Sequence, residues 1–136
     1  MPVIFSRACE YAVRGLVEMA RQPETEYWTV QELAKRTNTP APFLAKTFQS
    51  LVKHKILTSS KGRRGGFALL RPTRELTILD IVHIIDGPSL AQDCALGFRD
   101  CNNEDPCPFH EQWGHIRATL LDALSSETIE EVAKRI

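Results

Sequence analysis

No stretch of this sequence stays apolar for anything near the roughly 20 residues that a membrane-spanning helix requires. There is no internal repeat and no low-complexity tract. There is no phosphate-cradling glycine loop, no nucleophile–base set and no open three-ligand metal site, so an enzyme is not expected. The N-terminal stretch MPVIFSRACEYAVRGLVEMA is broken by Arg7, Glu10, Arg14 and Glu18, which is the wrong pattern for a signal peptide or anchor. A cytoplasmic location is therefore expected, where clustered thiols more often bind metals or take part in redox chemistry than form structural disulfides. Between Leu33 and Arg74 the chain has no aspartate or glutamate at all.

Ten lysines and arginines fill that same acid-free stretch, while the rest of the chain holds the other seven against all seventeen acids. The formal net charge of zero conceals a basic module on an acidic body. Such a distribution points to a polyanion-binding surface, with a merely solvated basic face as the plainer alternative. At 136 residues, 43% hydrophobic and 25% charged, the chain has the size and composition of one globular domain with an appendage.

Hydrophobic periodicity organises the module. Residues 4–21 carry apolar side chains at 5, 8, 12, 16 and 20, the spacing of an amphipathic helix. Thr29 and Glu32 match a capping box at the start of a short helix, VQELAKRT. Asn38, Thr39 and Pro40 break it, and PFLAKTFQSLVKH follows as a longer helix expected to bury Phe43, Leu44, Phe48, Leu51 and Val52. Two helices across so short a break read as a helix-turn-helix. Two β-prone arms, at 56–58 and 67–70, then flank SSKGRRGG, a basic hairpin tip or wing. Thr77 opens another helix, with Ile78, Ile81, Val82 and Ile85 as its core stripe and His83 expected among buried neighbours. Gly87 and Pro88 end it. Phe109, Trp113, Ile116, Leu120 and Leu124 mark a late helix whose stripe suits packing against a second subunit as well as its own chain. Thr128 and Glu131 cap a last segment.

The expected fold is thus mostly α with a small β-hairpin: a winged helix-turn-helix plus a long dimerisation helix. The expected divisions are 1–87 for DNA binding, 88–110 for a cysteine-rich loop, and 111–136 for the dimerisation helix and C-terminal segment. Double-stranded DNA is the expected partner, as a near-palindromic operator if the protein is a homodimer. The candidate DNA-contacting residues are Thr29, Pro42, Ala45, Lys46, Gln49, Lys53, Lys61, Arg63, Arg64, Gly65 and Gly66. Pro42, Ala45, Lys46 and Gln49 are placed to reach base edges, and the wing cations to grip phosphates or enter a minor groove.

The loop CALGFRDCNNEDPCPFH sets Cys94, Cys101, Cys107 and His110 in the order C-x6-C-x5-C-x2-H. Soft thiolates select iron–sulfur clusters, zinc or Cu(I) over hard cations. A cluster and a structural zinc ion both remain open on these residues alone, and a disulfide is expected only in an oxidised, cluster-free form. Glu10 on the first helix has a plain alternative as the ion-pair partner of Arg14 at i+4. Cys9 borders the apolar stripe of that helix and is expected as a small core residue.

Taken together, CEYAVRGLVEMA, the helix-turn-helix, SSKGRRGGFALLRP and the three-cysteine loop resemble the Rrf2 family of bacterial winged-helix transcription regulators. That family includes iron–sulfur sensors of the IscR, NsrR and RirA type. The resemblance runs over essentially the whole chain. It implies a homodimeric transcription regulator that senses iron–sulfur status, nitric oxide or redox state through a 4Fe–4S or 2Fe–2S cluster. It implies Cys94, Cys101 and Cys107 as cluster ligands. The fourth would be His110, as in IscR-like members, or Glu10 from the other subunit, as in NsrR-like ones. The first cysteine gap is one residue longer here than in IscR, and Arg63 and Arg64 stand where many relatives have proline and glycine. A zinc-stabilised winged-helix regulator without cluster sensing is the alternative.

Overall fold

The computed structural model describes residues 4–62, 66–97, 104 and 106–136. Helix α1, Arg7–Arg21, begins at Ser6, whose hydroxyl accepts a hydrogen bond from the Cys9 amide at 3.1 Å. It is the central post of the molecule. Cys9, Ala12, Leu16 and Met19 are buried on it, a stripe of three- and four-residue steps that faces every other helix of the core. Cys9 is fully buried, as its position beside the stripe predicts.

Helix α2, Val30–Thr37, is capped by Thr29, whose hydroxyl accepts from the Glu32 amide at 3.2 Å. Only this half of the expected box forms; the Glu32 carboxylate turns instead toward Arg36, 3.9 Å away. Asn38 adopts the left-handed conformation (φ 53°) that ends α2, and α3, Ala41–Lys53, starts immediately after Pro40. The two helices seat Leu33, Leu44, Phe48 and Leu51 against α1, each burial worth about 1.5–3 kcal/mol. Gly15 is what lets α3 approach: a Cβ there would stand 2.6 Å from the Phe48 ring.

Strands β1, Leu57–Ser60, and β2, Gly66–Leu69, pair antiparallel, with Leu57 opposite Leu69 and Ser60 opposite Gly66. Trp28 adds a third, one-residue strand. Its amide donates to the Phe67 carbonyl at 2.8 Å, and its carbonyl accepts from the Phe67 amide at 2.7 Å. This pairing locks the wing to the start of α2. The Phe67 ring then meets Phe48 edge-on, 5.3 Å between centroids.

A 3-10 turn at Thr73–Glu75 leads to α4, Ile78–Asp86, whose capping box is complete: Thr77 and Asp80 bond each other's backbone amides at 3.1 and 3.0 Å. Ile78, Ile81 and Val82 are buried as expected; His83 is exposed, one step off that stripe. A short helix α5, Ser89–Gln92, lies inside the stretch read from sequence as loop. The long α6, His110–Ser126, follows, and α7, Ile129–Lys134, returns to pack on α1 with Ile129 and Ala133 buried. Backbone bonds from Ile78 to Glu127 and from Ile129 to Leu76 pin that return. The C-terminal segment is therefore part of the winged-helix core. No residue of α6 is buried. Among the described residues no helix is long and apolar enough to cross a membrane.

Candidate nucleic-acid interface and cysteine loop

The exposed side of α3 and the wing meet across a cleft of about 500 Å³. Thr29, Pro42, Ala45, Gln49 and Gly66 all line it, with Gly62 from the wing. Five residues singled out from sequence are thus brought to one surface. Trp28 explains the convergence, because it ties β2 directly beside the Thr29 cap. Gly66 is required there: its φ is +146°, and a Cβ would overlap the Trp28 carbonyl. Lys46 and Lys53 are exposed on the same helix, and Lys61 at the wing. Arg63, Arg64 and Gly65 lie outside the described residues.

Three arginines of α1 and α2 serve structure. Arg14 donates to the Thr37 carbonyl, placing positive charge at the C-terminal end of α2 where the helix dipole is negative. Glu18, with its side chain only 10% exposed, accepts from Arg21 at 3.0 Å and Arg36 at 3.2 Å, so α1 and α2 share a three-charge link. The Arg36 guanidinium also lies over the Trp28 ring, 5.2 Å from its centroid.

One sequence expectation fails on this face. Phe43 is 63% exposed, not buried. The buried stripe of α3 runs Leu44, Thr47, Phe48, Leu51, and Thr47 enters it by donating its hydroxyl proton to the Phe43 carbonyl at 2.8 Å. A polar residue occupies the core position, and the phenylalanine beside the stripe is turned outward.

The cysteine loop hangs between α5 and α6. The Sγ atoms of Cys94 and Cys107 stand 3.3 Å apart, both half-buried. That is a sulfur–sulfur contact, well beyond a disulfide bond of about 2.05 Å. It is the distance at which one thiol donates to the other, shorter than the separation of about 3.8 Å that two thiolates take on one tetrahedral ion with metal–sulfur bonds of about 2.3 Å. The donor set fits a thiophilic metal group. The His110 amide donates to the Cys107 carbonyl at 3.0 Å, so the histidine opens α6 directly beside the third cysteine. Cys101 lies outside the described residues. Among the described residues alone, no group of three or more possible ligands comes together.

Two residues not anticipated from sequence anchor this loop. Trp113 Nε1 and Arg117 Nη2 both donate to the Asp93 carbonyl, at 3.3 and 2.6 Å, immediately before Cys94. Arg117 also stacks on Trp113, 5.4 Å from its centroid. Their i, i+4 spacing on α6 was the available signal. At the other end, the Asp86 carboxylate accepts from both the amide (2.9 Å) and the hydroxyl of Ser6. It thereby joins the end of α4, where the loop begins, to the cap of α1.

Glu10 sits one turn along α1, exposed, and its ion-pair partner is Arg7 at 3.9 Å. The expected Arg14 pairing does not form, because Arg14 is held by Thr37. Burial, then the charges of Asp86 and Glu10, push the Cys9 thiol up to about 12, so it stays neutral and inert in the core of α1.

Comparison with known proteins gives this surface its context. The model of the Rrf2 family, described as iron-dependent transcriptional regulators, matches residues 5–135. A protein of Aquifex aeolicus, whose name is that of an HTH-type transcriptional regulator, is 31% identical over 96% of this chain and 91% of its own. IscR of Photorhabdus laumondii is 24% identical over 90% of this chain and 74% of its own. Among solved structures, CymR, the global cysteine regulator of B. subtilis, superposes with a TM-score of 0.81 at 22% identity. That alignment covers 100% of this chain and 98% of CymR. T. potens IscR superposes at 0.78 and 20%, covering 99% and 88%. The fold shared with both is the winged helix built above, and the family and the relatives named are transcriptional regulators rather than enzymes. The chain belongs to the Rrf2 family of DNA-binding transcriptional regulators.

Proposed function

We propose that this regulator is a homodimer that senses iron–sulfur status, nitric oxide or redox state through an iron–sulfur cluster on its cysteine loop. Cys94, Cys101 and Cys107 would hold the cluster, with His110, or Glu10 of a second copy, as the fourth ligand. The observation that carries this reading is the match of the iron-dependent regulator family model to residues 5–135, in a chain whose loop brings the Cys94 and Cys107 sulfurs to 3.3 Å beside a flank fixed by Trp113 and Arg117. Such a group would supply a site that signal molecules can displace or oxidise. The chain's own residues would carry the consequence. Asp86 connects the loop to the cap of α1, and α1 carries α2 and α3 on its buried face.

The cleft lined by Thr29, Pro42, Ala45, Gln49 and Gly66 would take the operator, with Lys46, Lys53, Lys61, Arg63, Arg64 and Gly65 adding to the contact. The regulator would work in the cytoplasm. The stretch 1–87 would bind DNA, the loop 88–110 would sense, and 111–136 would supply the dimer contact and the returning end.

Zinc suits the same thiolates, and one experiment separates the two. Protein purified without oxygen should carry iron and acid-labile sulfide and a visible chromophore, and alanine at Cys94 or Cys107 should remove all three from a folded chain. Stoichiometric zinc with no sulfide would replace sensing with a structural role.

A further inference from the structure

Phe43 is the one large apolar residue that the helix-turn-helix turns outward, and it is 63% exposed in the first turn of α3. It stands at the lip of a groove of about 590 Å³ between α1 and α3, floored by Ala8, Tyr11 and Ile85. The charged residues lining the groove are Arg7 and Lys46, and no acid lines it. Arg7 is 78% exposed, and its contact with Glu10 at 3.9 Å is at the limit of an ion pair. Lys46 follows Phe43 by three residues on the same helix, so the two side chains are surface neighbours. The groove and the candidate DNA-facing cleft flank the same helix, Phe43 and Lys46 each standing one position on from Pro42 and Ala45. A cation-rimmed apolar groove next to a nucleic-acid surface fits a phosphate backbone at its rim and an apolar group of the duplex within it.

The start of a recognition helix is the part that reaches base edges. In this chain that turn offers Ala41, Pro42, Phe43 and Ala45, none with a side-chain hydrogen-bonding group. Base edges in the major groove offer one apolar feature, the 5-methyl of thymine. Resting on the DNA-binding role of α3, we infer that Phe43 is a specificity-determining residue that packs on a thymine methyl in each operator half-site, while Arg7 and Lys46 hold the adjoining phosphates. Much of this protein's sequence reading is then apolar, with hydrogen-bond readout left to Gln49.

Deoxyuridine differs from thymidine by that methyl alone, which makes the test specific. Duplexes are selected from a random pool by the full-length protein isolated without oxygen, and each thymine is then replaced singly by uracil. At one thymine per half-site the natural protein should lose about 3- to 10-fold in affinity, the worth of a methyl removed from contact. Phe43→Ala should bind the thymine and uracil duplexes equally, Phe43→Leu should keep part of the discrimination, and Lys46→Ala should weaken both alike. Because Phe43 is exposed, the alanine variant should keep its unfolding midpoint and its oligomeric state. Indifference of the natural protein to every uracil would overturn the inference, as would an alanine variant with an unchanged thymine-to-uracil ratio. Loss of dimer in Phe43→Ala with that ratio retained would assign the groove to a subunit contact and equally overturn it. If no sequence enriches at all, sequence-specific DNA reading by α3 fails first, and this inference with it.

Discussion

At the scale of single residues, the interface depends on positions where no other side chain fits. Gly66 combines a φ of +146° with the Trp28 backbone directly against it. Gly66→Ala should therefore cost about 1–3 kcal/mol and detach the wing from the Thr29 cap. Chemical denaturation would show the loss, and an unchanged midpoint would mean that the wing does not need Trp28. Cys9 makes a second prediction. Its thiol is raised to about 12 in the folded chain from an ordinary value of 9.0, first by burial, then by Asp86 and Glu10. Folding favours the protonated form, so this contribution is fully present below about pH 9 and is lost as pH rises toward 12. Urea midpoints of the natural protein should fall more steeply over that window than those of Cys9→Ala; parallel curves would contradict it. Single residues were also where sequence reasoning erred. Phe43 and Phe48 look equally apolar in the sequence, yet Phe48 is buried and Phe43 is turned outward, while Thr47 enters the buried stripe with its hydroxyl satisfied on a backbone carbonyl. His83 lies one position beyond the Ile81–Val82 stripe, an offset of about 100° that a list of apolar residues blurs. Glu10 lost its expected partner because a backbone carbonyl of α2 claimed Arg14.

At the scale of elements, the pattern was largely legible. Local rules set α1 to α4: apolar residues at three- and four-residue steps, threonine caps, a left-handed Asn38 and a glycine-rich hairpin tip. The Trp28–Phe67 bridge and the return of α7 onto α1 escaped, because they join residues far apart in the chain and leave no periodic trace. Helix α6 carries the clearest consequence. It spans seventeen residues without burying one, and Ile116 remains 50% exposed. A soluble helix seldom leaves such a stripe uncovered. The double variant Ile116→Glu with Leu120→Glu should sediment as a monomer, keep the unfolding midpoint of the core, and bind an operator at least 10-fold more weakly. A variant that remains a dimer would place the subunit contact on another element.

At the scale of the whole molecule, one line of contacts runs from the loop to the candidate DNA surface. Trp113 and Arg117 hold the chain before Cys94, and Asp86 holds the cap of α1. Gly15 then lets α1 carry α3 through the Phe48 ring. The loop's residue types mark its thiols as candidate metal ligands, but the link through Asp86 and Ser6 spans eighty positions and leaves no mark in the sequence. For the loop to regulate as proposed, a metal group held there would have to favour one arrangement of this line by about 1–3 kcal/mol, or 5- to 150-fold in occupancy. The most direct measurement is operator affinity under strictly anaerobic conditions, for the cluster-bearing protein, for the same preparation after nitric oxide, and for Cys94→Ala. The account predicts that the first differs from the other two by at least 5-fold while all three remain folded. Equal affinity in all three would contradict it.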